Sequence, residues 1–543
     1  MFDGCPKITS QGKCGLAAMK EDILKYLPYF ILLVLSVITL ALQNEQVGFE
    51  PGHHGWVTSH SLAVISHADV DSYLVGYTSR LKDEHGMKYH HRFHQYPIFF
   101  SAAFNHILTA ANLTLSGRVL LARQIMNLVF LSTLLLAYLL MTKLVHNRYR
   151  SLSIVLFAFS GYYYMQYKDM VNFDQPALLG ILFLFLAITV YKLDGKKWLI
   201  YLAAVVSVGL GRGYATYSVM LVWFLLESLL ILESCSFDLS RSIDKIIRHD
   251  SLRVLAVSGV LGALFLGYNI YIESQLTGIP LSETSIVATA TRRLGLDKDF
   301  NKEHSAVLGW ATFSRNQVAR LFLLLMPYSL KENLPLRIQP SMGLLILLFA
   351  LFALMISYLL FFIRKNKRDT AMIFVLMVLS GFFWLFPMRN LAAFHDYTTI
   401  YYTGFSLVFF ASILTLVPKK LIGATLVLAM IVFIDSNIRV NRHHAKIAET
   451  VNLYTYDMER IVPLLDTNEN IFIDGGSRNL IPGAPHSVGY YLSSHYVSPL
   501  GISQYVISKN EKYNQNQLTP DNKRLFLFKN DPGASTDITI PAR

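Results

Sequence analysis

The sequence predicts an all-α polytopic membrane protein of about eleven spanning helices, closed by a small extracytoplasmic α/β domain at its carboxy-terminal end. Three observations predict it. Apolar runs near 20 residues recur, the length that crosses the hydrocarbon layer. Charge is scarce: the 543 residues are 53% hydrophobic and 15% charged, with mean hydropathy +0.40, where a soluble chain carries about 25% charge. Lysine and arginine gather between apolar runs, where they orient a membrane protein. The net charge of +12 is therefore topological and implies no nucleic-acid partner. The three cysteines, Cys5, Cys14 and Cys235, make no disulfide framework.

The elements follow in order. Positions 1–24 are a short polar cytoplasmic lead with Lys7, Lys13 and Lys20. The run 26–42 is the first span, read as a retained helix because no small-residue cleavage site follows it. A long polar loop, 44–96, comes next. The run 97–113 is apolar on one side but interrupted by Asn105 and His106, so it lies along or dips into the interface. Spans are predicted at 119–144, 152–164, 176–191, 198–210, 214–232 and 254–272. A second long loop, 273–340, holds one amphipathic run at 318–330. Spans at 343–363, 371–386, 399–417 and 421–434 complete a membrane domain placed at 25–438. The tail 439–543 is a different material, rich in Asn, Asp and Lys, with strand-like segments at 470–474 and 524–528.

Five positive clusters fix the orientation. They are Lys143/Arg148/Arg150, Lys192/Lys196/Lys197, Arg241 to Arg253, Arg364/Lys365/Lys367/Arg368 and Lys419/Lys420. All fall on alternate connections if 97–113 does not span. The loops 44–96, 166–175, 211–213, 273–340 and 388–396 are then external, with the tail.

The chemistry-bearing residues share that external side. The stretch Glu50-Pro51-Gly52-His53-His54-Gly55-Trp56 brings a carboxylate, two imidazoles and an indole to the membrane surface. Its glycines and proline predict a fixed turn rather than a helix. The same loop carries Asp69 and Asp71 and closes with Arg92 before Tyr96-Pro97. The second loop has Lys168-Asp169 and Asp174-Gln175-Pro176, the third Arg212, and the last Arg389 and His395-Asp396. Ionisable groups at membrane depth are costly and point to function. Arginines suit a phosphate, and carboxylates suit proton transfer. Simpler roles stand beside these. Asp174 ahead of Pro176 is a good helix cap, Arg212 and Arg389 can snorkel, and His395-Asp396 can be a structural pair. Asp69 and Asp71 have a metal-like spacing but sit mid-loop.

Taken together, the chain resembles the GT-C superfamily of polyprenyl-phosphate-sugar-dependent membrane glycosyltransferases, and most of all its bacterial branch of aminoarabinose transferases and protein mannosyltransferase-like enzymes. The likeness covers roughly 25–440 and is architectural. It rests on a long external loop after the first helix with an acid near its start, and on the step Tyr96-Pro97-Ile98-Phe99-Phe100 into an apolar helix. It rests also on Asp174-Gln175-Pro176-Ala177 and on an external carboxy-terminal region. The resemblance implies a GT-C-like fold in the bacterial inner membrane, with its active site on the periplasmic side. It implies a polyprenyl-phosphate-linked sugar donor, an extracytoplasmic acceptor and inverting displacement by a carboxylate base. By position Glu50 is that base and Asp174 the second-loop acid, with Asp169 the third catalytic candidate. His53, His54, Trp56, Arg92, Lys168, Arg212, Arg389, His395 and Asp396 are the substrate-binding candidates. A divalent metal bridging phosphate is compatible with this chemistry, but no ligand spacing is specific for one.

The chain departs from the family where relatives carry adjacent acids, because it reads His54-Gly55-Trp56 there. Asp69, Asp71 or a histidine therefore stand as alternatives to Glu50. Two other functions compete. A flippase or transporter wants charges deep in helices and internal symmetry, whereas the charges here sit mainly at external helix ends and no repeat is seen. A lipid-linked glycan polymerase or ligase would place its site at Arg389 and His395.

Overall fold

The computed structural model describes residues 10–43, 49, 53–68, 79–83, 86–90, 98–172, 174–210, 213–331, 342–365, 367–385, 387–466, 469–473, 491–492, 496–497, 505–508 and 526–529. The chain runs α1 (Ser10–Ala41), α2 (His53–Ser66), a hairpin of β1 (Ser79–Asp83) and β2 (Gly86–His90), α3 (Ile98–Ala110) and α4 (Leu115–Val145). It continues through α5 (Arg148–Phe159), α6 (Tyr162–Tyr167), α7 (Asp174–Asp194), α8 (Lys197–Leu210), α9 (Gly213–Ser234), α10 (Leu239–Arg248) and α11 (Asp250–Thr277). The second long loop holds α12 (Ser285–Arg293), α13 (Lys298–Glu303), α14 (Ser305–Leu308), α15 (Trp310–Leu325) and α16 (Tyr328–Lys331). Then come α17 (Met342–Arg364), α18 (Arg368–Phe383), α19 (Arg389–Phe394), α20 (Thr403–Leu414) and α21 (Ile422–Ile461). Strands β3 (Asn470–Ile473), β4 (Tyr496–Val497), β5 (Tyr505–Ser508) and β6 (Phe526–Lys529) follow.

The protein is an all-α polytopic membrane protein in its main body. Seven helical stretches among the described residues are long and apolar enough to cross a membrane: Leu24–Ala41, Leu115–Val145, Asp174–Asp194, Ala215–Ser234, Asp250–Thr277, Asp396–Leu414 and Lys419–Ile447. Lys197–Leu210 and Phe352–Arg364 are shorter apolar helices. In the bundle α7 packs on α4 and α8, α5 on α4, α20 and α21, and α18 on α9, α17 and α20. Helix α3, at 13 residues, is about 20 Å long and too short to span.

The positive clusters meet at one end of the bundle. Lys143 pairs with Asp194 at 2.7 Å, and Lys192 with Glu227 at 3.1 Å and Asp369 at 3.4 Å. Lys197 pairs with Asp250 at 3.0 Å, and Arg368 with Glu233. Arg150 donates to the Val417 carbonyl beside Lys419 at 2.8 Å. This is the inner end in the orientation the charges predict. The outer end carries the loop between α6 and α7.

Four expectations need correction. The stretch at 53–56 is not a turn: His53, His54, Gly55 and Trp56 form the first turn of α2. Pro51 and Gly52 precede that helix, and the buried run Val57 to Ile65 holds it. The expected span 152–164 is broken into α5 and α6 at Gly161. There the Tyr162 amide donates to the Met326 carbonyl at 2.9 Å, and the Tyr328 amide to Ser160 at 2.9 Å. A Cβ on Gly161 would collide with the Leu324 carbonyl, so α6 is seated against the end of α15. The amphipathic run of the second long loop begins earlier, at Trp310. The last external loop is itself helical as α19, held by Arg320, which donates to the Ala392 and Ala393 carbonyls.

At the outer end the first loop and the tail share structure. Helix α21 runs unbroken through position 439, and the first tail strand begins at Asn470. The six strands form one sheet, ordered β2-β1-β4-β3-β5-β6. Strand β1 of the first loop pairs in parallel with β4 of the tail, Arg80 opposite Tyr496. A second apolar cluster joins Leu62 and Ile65 of α2, Phe104 and Leu108 of α3, Val119 of α4, Ile461 of α21 and Ile471 and Ile507 of the strands.

Candidate active site

The site begins with the loop that carries the chain from α6 into α7. Seating α6 against α15 leaves residues 168–172 to turn inside the bundle, so Lys168, Asp169 and Asn172 are buried. Each polar group there is met by a different element. The Asp169 carboxylate accepts from the Gln43 amide just beyond α1 at 2.6 Å and lies 3.4 Å from Nε2 of His54 on α2. The Lys168 ammonium donates to Oδ1 of Asn437 on α21, whose own amide donates to Thr39 of α1 at 2.8 Å. The backbone amide of Val171 donates to Thr58 of α2 at 3.3 Å.

The electrostatics follow from burial. Burial would raise the Asp169 carboxyl, but the hydrogen bond from His54 and the charges of His444, His54 and Arg123 outweigh it and hold it well below the usual carboxylate range. It stays ionised at neutral pH. Burial pushes the Lys168 ammonium down to about 8, with Asp169 pulling the other way. Arg123, on α4 and wholly buried, adds a second cation. One turn further along α4, Asn127 is buried and neither of its amide atoms meets a partner among the described residues. Such a group calls for water or a ligand.

Asp174 plays a different part. It opens α7, accepting from the Tyr401 hydroxyl and from the Asn172 amide at 3.0 Å, while its backbone amide donates to Asn172 at 3.2 Å. The Gln175 amide donates to the Tyr167 carbonyl at 2.9 Å. The helix start is thus stitched to α6 and to the stretch before α20.

Tyr167 connects this corner to the last external loop. Its ring stacks on His54, with centroids 6.1 Å apart, and meets Tyr397 edge-on at 6.2 Å. Its hydroxyl is kept protonated by burial and by a hydrogen bond to Asp396. His395 lies 5.2 Å from Tyr397, centroid to centroid. Of the sequence candidates, His54 and Asp396 meet this tyrosine, Lys168 and Asp169 follow it in the chain, and Asp174 and His395 are linked to it through Gln175 and Tyr397.

Neither a family model nor a curated protein matches the sequence. Solved structures do. ArnT from Cupriavidus metallidurans, bound to undecaprenyl phosphate, aligns over 93% of this chain and 98% of its own at a TM-score of 0.51 and 9% identity. The archaeal oligosaccharyltransferase AglB from Archaeoglobus fulgidus, in complex with an inhibitory peptide and a dolichol-phosphate, aligns over 90% of this chain and 70% of its own. Its TM-score is 0.41 at 12% identity. The chain shares its fold with ArnT.

Within this fold the remaining candidates divide. Arg389 is half-buried and stacks its guanidinium on Trp310, 4.8 Å from the ring centroid. Its neighbour Asn390 ties α19 to Asn301 at 2.7 Å and to the Arg292 carbonyl at 2.8 Å. Trp56 packs on His60 with ring centroids 4.5 Å apart. Glu50, Asp69, Asp71, Arg92 and Arg212 lie outside the described residues, and His53 is described only in its backbone. Among the described residues no three His, Cys, Asp or Glu side chains are grouped to hold a metal. Gln43, Arg123, Tyr167, Tyr401, Asn437 and His444 were missed by sequence reasoning. Arg123 and Asn127 interrupt the apolar run 119–144, and a charge inside such a run was the available signal.

Proposed function

We propose that this chain is a membrane glycosyltransferase that moves a sugar from a polyprenyl-phosphate donor to an extracytoplasmic acceptor, acting on the periplasmic side of a bacterial inner membrane. One observation carries the reading. The buried Lys168-Asp169 corner meets α1, α2, α4 and α21 at the outer helix ends and sets the Lys168 ammonium and the Arg123 guanidinium beside the Asp169 carboxylate. Buried cations at membrane depth suit an anionic ligand. The fold supports the same reading, since ArnT carries undecaprenyl phosphate in its structure.

A glycosyl phosphate is already activated, so little is asked of the protein. A base takes the proton of the acceptor hydroxyl or amine. The freed lone pair bonds to the anomeric carbon with inversion. The bond from that carbon to the phosphate oxygen breaks, and the electron pair leaves with the polyprenyl phosphate. Lys168 and Arg123 stabilise the charge that grows there, and Asp174 keeps α7 in place through Tyr401. Arg389 on its tryptophan lies at the loop from which an acceptor would approach.

Two measurements on the purified protein in lipid nanodiscs test this. Undecaprenyl phosphate should bind, and Lys168→Ala or Arg123→Ala should each weaken binding about tenfold, the worth of one charge-assisted contact. A polyprenyl-phosphate sugar should yield free polyprenyl phosphate when an acceptor is supplied. Binding that ignores both cations, or donors that are never consumed, would overturn the reading.

A further inference from the structure

The segment joining α9 to α11 takes no part in the reaction above. We propose that α10 is an interfacial helix, which seats an apolar face in the adjoining membrane leaflet and gathers anionic phospholipid headgroups with Arg241 and Lys245.

The chain leaves α9 through a turn with two residues in the left-handed region, Ser236 at φ 53° and Phe237 at φ 61°. A bulky aromatic is uncommon there, and such a turn persists only where its surroundings hold it. Here the Phe237 amide donates to the Leu232 carbonyl at 2.9 Å and the Asp238 amide to the Cys235 carbonyl at 3.0 Å. The turn leaves the Phe237 ring 75% exposed. Asp238 then caps α10, its carboxylate accepting from the Arg241 amide at 3.3 Å. At about 100° per residue, the helix presents three sides. Ser242 is wholly buried, on the side packed against α9 and α11. Next around the helix come Leu239, Ile243 and Ile247, which are 64%, 46% and 59% exposed. Beyond them lie Arg241, Asp244, Lys245 and Arg248, all exposed. A helix with one apolar and one basic face lies in the plane of a bilayer surface.

The flanking spans decide what covers the apolar face. Ala215–Ser234 and Asp250–Thr277 are both long and apolar enough to cross a membrane. Only residues 235–238 separate α10 from α9, and only His249 separates it from α11. The helix is thereby held at a bilayer surface, its bare apolar side chains within reach of lipid. The charges then choose the lipid. Arg248 is matched by Asp244 at 2.8 Å, and Arg253 reaches Asp250 at 3.9 Å. Among the described residues Arg241 and Lys245 pair with no carboxylate, so their charge is open to a phosphate.

The test uses the full chain in vesicles of equal parts phosphatidylcholine and phosphatidylglycerol, each lipid in turn carrying a photoreactive acyl chain. Mass spectrometry then locates the labelled peptides. Those from 236–249 should be labelled, and more by the phosphatidylglycerol probe, by about fivefold for each cation engaged. Arg241→Gln together with Lys245→Gln should bring the two probes level, with the thermal midpoint in phosphatidylcholine alone unchanged. Ile243→Asn together with Ile247→Asn should lower labelling by both probes. Should either pair of substitutions fail to fold, the wild-type chain still decides. At about 1 M salt, where charges are screened within about 3 Å, its preference should vanish while labelling persists. Unlabelled α10 beside labelled α9 and α11 would turn the apolar face away from lipid, toward a protein partner, and overturn the proposal. Equal labelling of the wild type by both probes would do the same, as would a preference that survives the double substitution or the salt. None of these outcomes touches the glycosyl-transfer reading, which rests on the opposite end of the bundle.

Discussion

The two ends of the bundle handle buried charge in opposite ways. At the inner end Glu227 is buried and matched: it takes Lys192 at 3.1 Å and the Trp223 indole at 3.1 Å, with His249 at 3.8 Å. Asp250 is likewise met by Tyr191 at 3.0 Å, Tyr201 at 3.1 Å and Lys197 at 3.0 Å. At the outer end Asp169 faces Lys168, Arg123 and two imidazoles. A matched network locks helices together. The outer cluster sits instead at the helix ends where the first loop and the tail meet, a setting for something that arrives later.

Substitutions should break this symmetry in order of size. Asp169→Asn at the outer end should cut transfer at least a hundredfold while polyprenyl phosphate still binds, as release of the free lipid phosphate would record. Equal loss of binding and turnover would instead make Asp169 a structural residue like Glu227. The pH dependence comes next. Bound phosphate favours protonated Lys168, whose free ammonium is held near about 8. Affinity should therefore be full below that pH and fall above it, by at most about tenfold per pH unit for one linked proton. Titrating undecaprenyl phosphate between pH 7 and 9 would show the decline, and Lys168→Met should abolish it. At the inner end Glu227→Gln should cost about 1–3 kcal/mol and lower the thermal midpoint, while turnover per folded molecule stays unchanged. Smallest of all, Lys143→Ala breaks a partly exposed pair with Asp194 and should move stability by less than about 1 kcal/mol.

The sequence made the membrane architecture legible because hydropathy and positive clusters are local signals. Lys143, Lys192 and Arg368 do converge, through Asp194, Glu227, Asp369 and Glu233. The Lys168-Asp169 corner was legible too, as charge without an evident surface role. What escaped were partners supplied by distant elements. Nothing near Gln43 says that it will meet Asp169, which lies 126 positions later. Tyr167 is one tyrosine among several until α6 is seated on α15. The helical start at His53 was hidden because Gly52 and Gly55 outweigh, in a local reading, the buried run that follows. Asp174 was legible as a cap, but in the structure it is the first residue of α7 and Asn172 accepts from the Asp174 and Gln175 backbone amides, while the Asp174 carboxylate accepts from Tyr401 on the far side of the chain.

The strand at Arg80 finds its parallel neighbour only at Tyr496. A ribosome delivers the first of these long before the second, and non-local pairings of this kind form late. The sheet therefore closes only once residues beyond 470 have been made, and a chain cut short upstream of them would carry its membrane helices while β1 lacked its parallel neighbour.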